Sequence, residues 1–91
     1  MVKGKTGSGF AFEANDKMMK SATFLKMFRD VQRDDNGLLI FDILELVLGK
    51  EQLDDLIEHI KDDEGFDDMD RLTEESVEIF NVLAEAEATK N

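Results

Sequence analysis

The residues able to do chemistry are mostly carboxylates. The 91-residue chain carries 22 Asp and Glu, one His (His59), no Cys, and 11 Lys and Arg. Two acidic turns look alike, Asp34-Asp35-Asn36-Gly37 and Asp62-Asp63-Glu64-Gly65, and both invite a calcium reading. An EF-hand loop needs oxygen ligands at positions 1, 3 and 5, Gly at 6 and a bidentate Glu at 12. With Gly37 at position 6, Gln32 falls at 1 and Ile43 at 12; with Gly65 there, Ile60 falls at 1 and Arg71 at 12. Apolar and cationic side chains cannot replace the missing carboxylates, so both turns are expected to be helix stops and the metal ligands to be none. Pairs such as Asp54/Glu58 and Glu74/Glu78 could do acid–base work only if burial beside a cleft raised one pKa. They sit on polar helix faces and are read as solvated. A lone His without Cys or a second His is not a metal site, and His59 is expected to have a structural or surface role. Gly4, Gly7 and Gly9 precede a strand pattern and not a helix, which gives phosphate no helix N-terminus to bind. No P-loop, GxGxxG or Gly-x-Ser-x-Gly is present. Catalytic residues and cofactors are therefore expected to be none, and an enzyme is not expected.

The composition agrees. The net charge is −11 and the apolar fraction 42%, ordinary for a globular domain. A chain of this size buries roughly 60–65% of the surface it exposes when unfolded, enough for one small core. Without Cys there is no disulfide scaffold, thiol catalysis or Cys-ligated zinc. Phosphate would repel the chain, so nucleic acid and anionic membranes are not expected partners. Residues 1–9 lack the apolar run of a signal peptide. The most apolar stretch, 38–48, is too short to span a bilayer and contains Asp42 and Glu45. The expected location is the cytoplasm.

Charge is divided along the chain. Residues 1–33 hold seven bases against three acids, a net of +4; residues 51–91 hold fifteen acids against three bases, a net of −12. The acidic part is read as a solvated face. In an assembly the asymmetry would set orientation, and self-association is one partner reading it allows.

The elements that position these groups form a single domain, 1–91, mainly α: a four-helix domain with a short N-terminal β-hairpin or strand over 1–14. Phe10, Phe12 and Ala14 alternate on one strand face, and Val2 to Thr6 can pair with them across Gly7-Ser8. Helix periodicity predicts helices over 16–33, 38–48, 51–63 and 73–88, with a frayed tail over 85–91. Asn15 or Asp16 would cap the first. The second is nearly all apolar; a strand is the rival reading, and length and the Asp42/Glu45 spacing favour helix. Gly49 ends it. The third places Leu53, Leu56, Ile57 and Ile60 on one stripe, a predicted core. Thr73 is the expected N-cap of the fourth. Three broadly apolar helices exceed what 91 residues can cover, so leftover apolar surface marks an interaction site. The expected mode is capture of an amphipathic helix. Phe24, Met27, Phe28, Leu39, Phe41 and Leu46, on the first two helices, are the candidate partner-binding residues.

From about Gly9 to Leu83 the order of features resembles the tail assembly chaperones of long-tailed bacteriophages and prophages of Gram-positive hosts. The resemblance rests on Ser8-Gly9-Phe10-Ala11-Phe12-Glu13, on Leu48-Gly49-Lys50-Glu51-Gln52, on Leu56-Ile57-Glu58-His59-Ile60 and Asp63-Glu64-Gly65, and on Leu72-Thr73-Glu74-Glu75 with Glu78-Ile79-Phe80. The segment Phe66-Asp67-Asp68-Met69 is more acidic than the family pattern. The resemblance implies a small helical protein without enzymatic activity. Its partners would be the tape measure protein, kept soluble until the tail tube polymerises, and the tail tube protein. It would act in the host cytoplasm and be absent from the mature virion. Two other functional classes fit the composition: an acidic DNA-mimic-type inhibitor of a basic host protein, and a phage structural or adaptor protein.

Overall fold

The computed structural model describes residues 1–88. It is mainly helical, with a two-stranded antiparallel hairpin at the N-terminus. Strand β1 is Val2–Lys5 and strand β2 is Ala11–Ala14. One 3-10 turn, Met18–Lys20, leads into helix α1, Ala22–Arg33. Helix α2 is Leu39–His59 and helix α3 is Met69–Ala88.

The hairpin register pairs Val2 with Ala14, Gly4 with Phe12 and Lys5 with Ala11. The turn is closed by Thr6 N–H donating to Phe10 O and Gly9 N–H donating to Thr6 O, each at 2.9 Å. Phe10, Phe12 and Ala14 are buried, as their alternation predicted. Opposite Phe12, Gly4 leaves room for the ring: a Cβ there would lie 2.6 Å from Phe12 Cζ and 2.8 Å from Val82 Cγ1. The other edge of β2 is covered by one side chain. Gln52 Oε1 accepts from Glu13 N–H at 2.8 Å, and Gln52 Nε2 donates to Glu13 O at 2.8 Å. The amide thus bonds Glu13 as a neighbouring strand would. The same Nε2 donates to Leu48 O at 2.7 Å, just before Gly49.

The expected four helices are three, because 38–48 and 51–63 run on as α2. The break at Gly49 is real, however: this residue has φ 81 and ψ 161 inside the helix. Gly49 therefore interrupts the helical course at the expected place, and Gln52 serves the carbonyl beside the break. The boundaries also shift. The expected first helix, 16–33, starts at Ala22, where Ser21 Oγ accepts from Phe24 N–H at 3.2 Å. Asn15 instead holds the 3-10 turn, its Oδ1 accepting from Lys17 N–H at 2.9 Å. The third expected helix stops at His59, not at 63. The last begins at Met69, four residues before the expected cap. Asp68 is the cap: its Oδ1 accepts from Asp70 N–H and its carbonyl from Leu72 N–H. Thr73 lies within the first turns and bonds back to Met69 O at 3.0 Å. Helix α3 continues through Glu85 to Ala88, where a frayed tail was expected; residues 89–91 lie outside the described residues.

The two acidic turns use the same device. Asp34 Oδ1 accepts from Asn36 N–H, and Asp34 Oδ2 accepts from Leu39 N–H at 2.9 Å, serving an orphan donor at the start of α2. Asp62 Oδ1 accepts from Glu64 N–H at 2.9 Å and Phe66 N–H at 3.0 Å. Gly37 and Gly65 supply the positive φ that closes each turn.

One hydrophobic cluster joins the hairpin to all three helices. It contains Phe10, Phe12, Phe24, Ile43, Leu44, Leu56, Leu72, Ile79 and Leu83 among others. Leu53, Leu56 and Ile60 are buried and Ile57 is packed against them, as the stripe predicted. No helix among the described residues is long and apolar enough to cross a membrane.

Candidate partner-binding surface

Helices α1 and α3 run antiparallel. Lys20, just before α1, pairs with Glu87 near the end of α3 at 3.2 Å. Phe24 and Phe28 both meet Phe80, with ring centroids 5.9 Å apart in each case. Phe28 and Phe80 border a cleft of about 200 Å³ between the helices. Phe28, Val31 and Gln32 line it from α1, Ile40 from α2, and Thr73, Ser76, Val77, Phe80 and Asn81 from α3. Two of its large apolar lining side chains stand out to solvent: Phe28 is 38% exposed and Val77 52%. Leu25 lies one helical turn before Phe28 on the same face of α1.

The six residues expected to bind a partner do not meet in one place. Phe24 is 1% exposed and cannot touch a partner; it is the aromatic anchor of α1, stacked on Phe28 at 6.0 Å and edge-on to Phe80. Phe28 is in the α1–α3 cleft. Met27 and Leu39 line a separate hollow of about 100 Å³ with Asp30 and Asp42. Phe41 lines another, about 240 Å³, with Ile57, Ile60, Asp67, Met69 and Leu72. Leu46 borders an open hollow with Asn15, Lys17, Met18, Lys20 and Ser21. Sequence reasoning missed Val77 and Phe80 as members of the cleft. The broad apolar face of the last helix was the available signal; what was missing was which stripe of it faces α1.

A second constellation was invisible in the sequence because its members lie 51 to 71 positions apart. The hairpin turn docks on α3 through a buried carboxylate. Thr6 Oγ1 donates to Glu75 Oε1 at 2.7 Å, and Ser8 Oγ donates to the same oxygen at 2.8 Å. Gly7 N–H donates to Glu78 Oε1 at 2.8 Å. His59 Nε2 lies 3.0 Å from Ser8 Oγ, and its ring is 5.5 Å from that of Phe10. With the serine proton on Glu75, His59 Nε2 is the donor to Ser8. Thr6 Oγ1 also accepts from Phe10 N–H at 3.1 Å.

Serine, histidine and a carboxylate in contact call for comparison with a nucleophilic relay. There the base takes the serine proton and the carboxylate orients the base. Here the carboxylate takes the serine hydrogen directly, and the imidazole donates. The order is wrong for activating Ser8 and right for latching three elements together.

Two exposed groups have displaced pKa values. The backbone N–H groups of Phe66 and Glu64 hold the Asp62 carboxyl below its ordinary value. The hydrogen bond to Glu58, at 2.6 Å, raises Lys61. Neither faces a cleft. No group of three or more His, Asp or Glu among the described residues could hold a metal ion.

Compared with known proteins, the chain matches no family model, no curated protein and no solved structure.

Proposed function

We propose that this chain is a phage or prophage tail assembly chaperone that binds the tape measure protein and keeps it soluble until the tail tube polymerises. The observation that carries the reading is the α1–α3 cleft. Phe28 and Val77 present apolar surface there on a chain of net charge −11. Such a cleft suits one face of an amphipathic helix, and high net charge keeps a loaded complex from co-aggregating. A tape measure protein offers many such helices, so modest affinity at each site suffices and the tail tube protein can displace the copies in turn. The family resemblance of the segments around Gly49, His59 and Thr73 supports the same reading. In it the chain acts in the bacterial cytoplasm, uses no cofactor and leaves before the virion matures.

The test is co-expression with the tape measure protein encoded in the same genome, followed by solubility measurement and pull-down. The expected result is a soluble complex with many copies per tape measure chain, lost when Val77→Asp places a charge in the cleft. An insoluble tape measure protein and no complex would overturn the reading.

A further inference from the structure

We infer that, in the chain alone, the α1–α3 cleft is covered by a second copy of the same chain, related by a two-fold axis lying along the cleft. The argument rests on the cleft's own residues and not on the tape measure reading.

The two lips of the cleft carry opposite charge. On α1, Lys26, Arg29 and Arg33 follow one another at helical spacing, one step round from Leu25 and Gln32. On α3, Asp70, Glu74 and Glu85 form the corresponding row beyond Thr73 and Val77, with Asn81 between them. Among the described residues, Lys26, Arg33, Asp70, Glu74 and Glu85 make no ion pair, whereas Arg29 pairs with Asp30 at 3.1 Å. An apolar strip between a basic lip and an acidic lip is complementary to itself.

Symmetry then selects the arrangement. A two-fold axis along the cleft exchanges the lips, so the basic row of one copy faces the acidic row of the other at the same height. An axis across the cleft would set base on base and acid on acid. The antiparallel course of α1 and α3, with Phe80 meeting both Phe24 and Phe28, puts Arg33 level with Glu74. The dimer thus repeats Arg33–Glu74 on both sides of a centre made by Phe28 and Val77. Such an isologous contact closes on itself and does not propagate.

The experiment is sedimentation velocity on the full chain across a concentration series, at low and high salt. A monomer–dimer equilibrium is expected, weakening as salt shortens the Debye length from about 10 Å at 0.1 M to about 3 Å at 1 M. Val77→Asp, at an exposed position, should leave the circular dichroism spectrum unchanged and abolish the dimer. Arg33→Glu alone and Glu74→Arg alone should each weaken it by about tenfold, since each reversal acts twice in the symmetric contact. The double reversal should restore it. A chain monomeric at every concentration overturns the inference, as does a dimer indifferent to Val77→Asp. A dimer lost with Val77→Asp but not rescued by the double reversal overturns the assigned axis. Solubilisation of the tape measure protein is scored separately, and a chain that stays monomeric can still pass that test.

Discussion

Thr6 is the residue whose loss the fold should feel most for the smallest change in shape. Thr6→Val keeps the volume and removes only the hydroxyl, which is buried. That hydroxyl donates to Glu75 at 2.7 Å and accepts from Phe10 N–H at 3.1 Å. Without it, the Phe10 N–H loses its acceptor; a buried unsatisfied donor costs about 1–3 kcal/mol. The Glu75 carboxylate loses one of its two donors, and a hydrogen bond to a charged group contributes about 1.5–3 kcal/mol. Ser8 remains on the same oxygen and offsets part of this, so the expected loss is about 2–4 kcal/mol. A chain of this length has about 5–14 kcal/mol in all, and the melting temperature should fall by roughly 10–30 °C. The chain has no Trp or Tyr, so the assay is urea unfolding followed by far-ultraviolet circular dichroism. The midpoint should drop with the slope unchanged. Glu75→Gln in the same background completes a double-mutant cycle, which should give a coupling energy well above the scatter for independent sites. A loss below about 0.5 kcal/mol, the size of an ordinary surface change, would refute the buried-network reasoning.

Three further outcomes are expected. Gly4→Ala should destabilise by about 1–3 kcal/mol through overpacking against Phe12 and Val82, and trimming Val82 to Ala in the same chain should recover part of it; equal losses in both backgrounds would remove the steric explanation. Gly49→Ala has open space for its Cβ, so its cost of about 1–3 kcal/mol is purely conformational, and an unchanged urea midpoint would mean the break at Gly49 does not need glycine. Carbon-detected titration should place the Asp62 carboxyl below the ordinary aspartate value. Because the folded pKa is the lower one, its stabilisation is present above the unfolded pKa and lost as pH falls through the folded pKa; the gap between wild type and Asp62→Ala should therefore close in acid.

Legibility from sequence followed the range of the interactions. The alternation of Phe10, Phe12 and Ala14 and the stripe of Leu53, Leu56 and Ile60 identified their buried faces, because period alone decides a face once a core exists. The stopping power of the two Asp-Asp-x-Gly turns was also local and readable. Helix starts were not: Thr73 is a good cap residue, but Asp68 is one too, and the earlier start places Leu72, 1% exposed, on the helix's buried face. Phe24 and Phe28 are four apart and chemically identical and both meet Phe80, yet one is 1% exposed in the core and the other borders a cleft, a difference their spacing does not encode. The Glu75 latch had no sequence signal at all. Each of its members is an ordinary polar residue until the hairpin turn and α3 meet.

That latch has a kinetic consequence. Its bonds join positions 67 to 71 apart, from the sixth to eighth residues to the seventy-fifth and seventy-eighth. An isolated two-stranded hairpin is marginal in water. The turn must therefore wait for α3 before it is held, and nearly the whole chain is the loop being closed. The hairpin is held once α3 is in place and released when α3 opens. The slowest backbone exchange in the hairpin should then track that of α3, two segments at opposite ends of the chain opening as one cooperative unit.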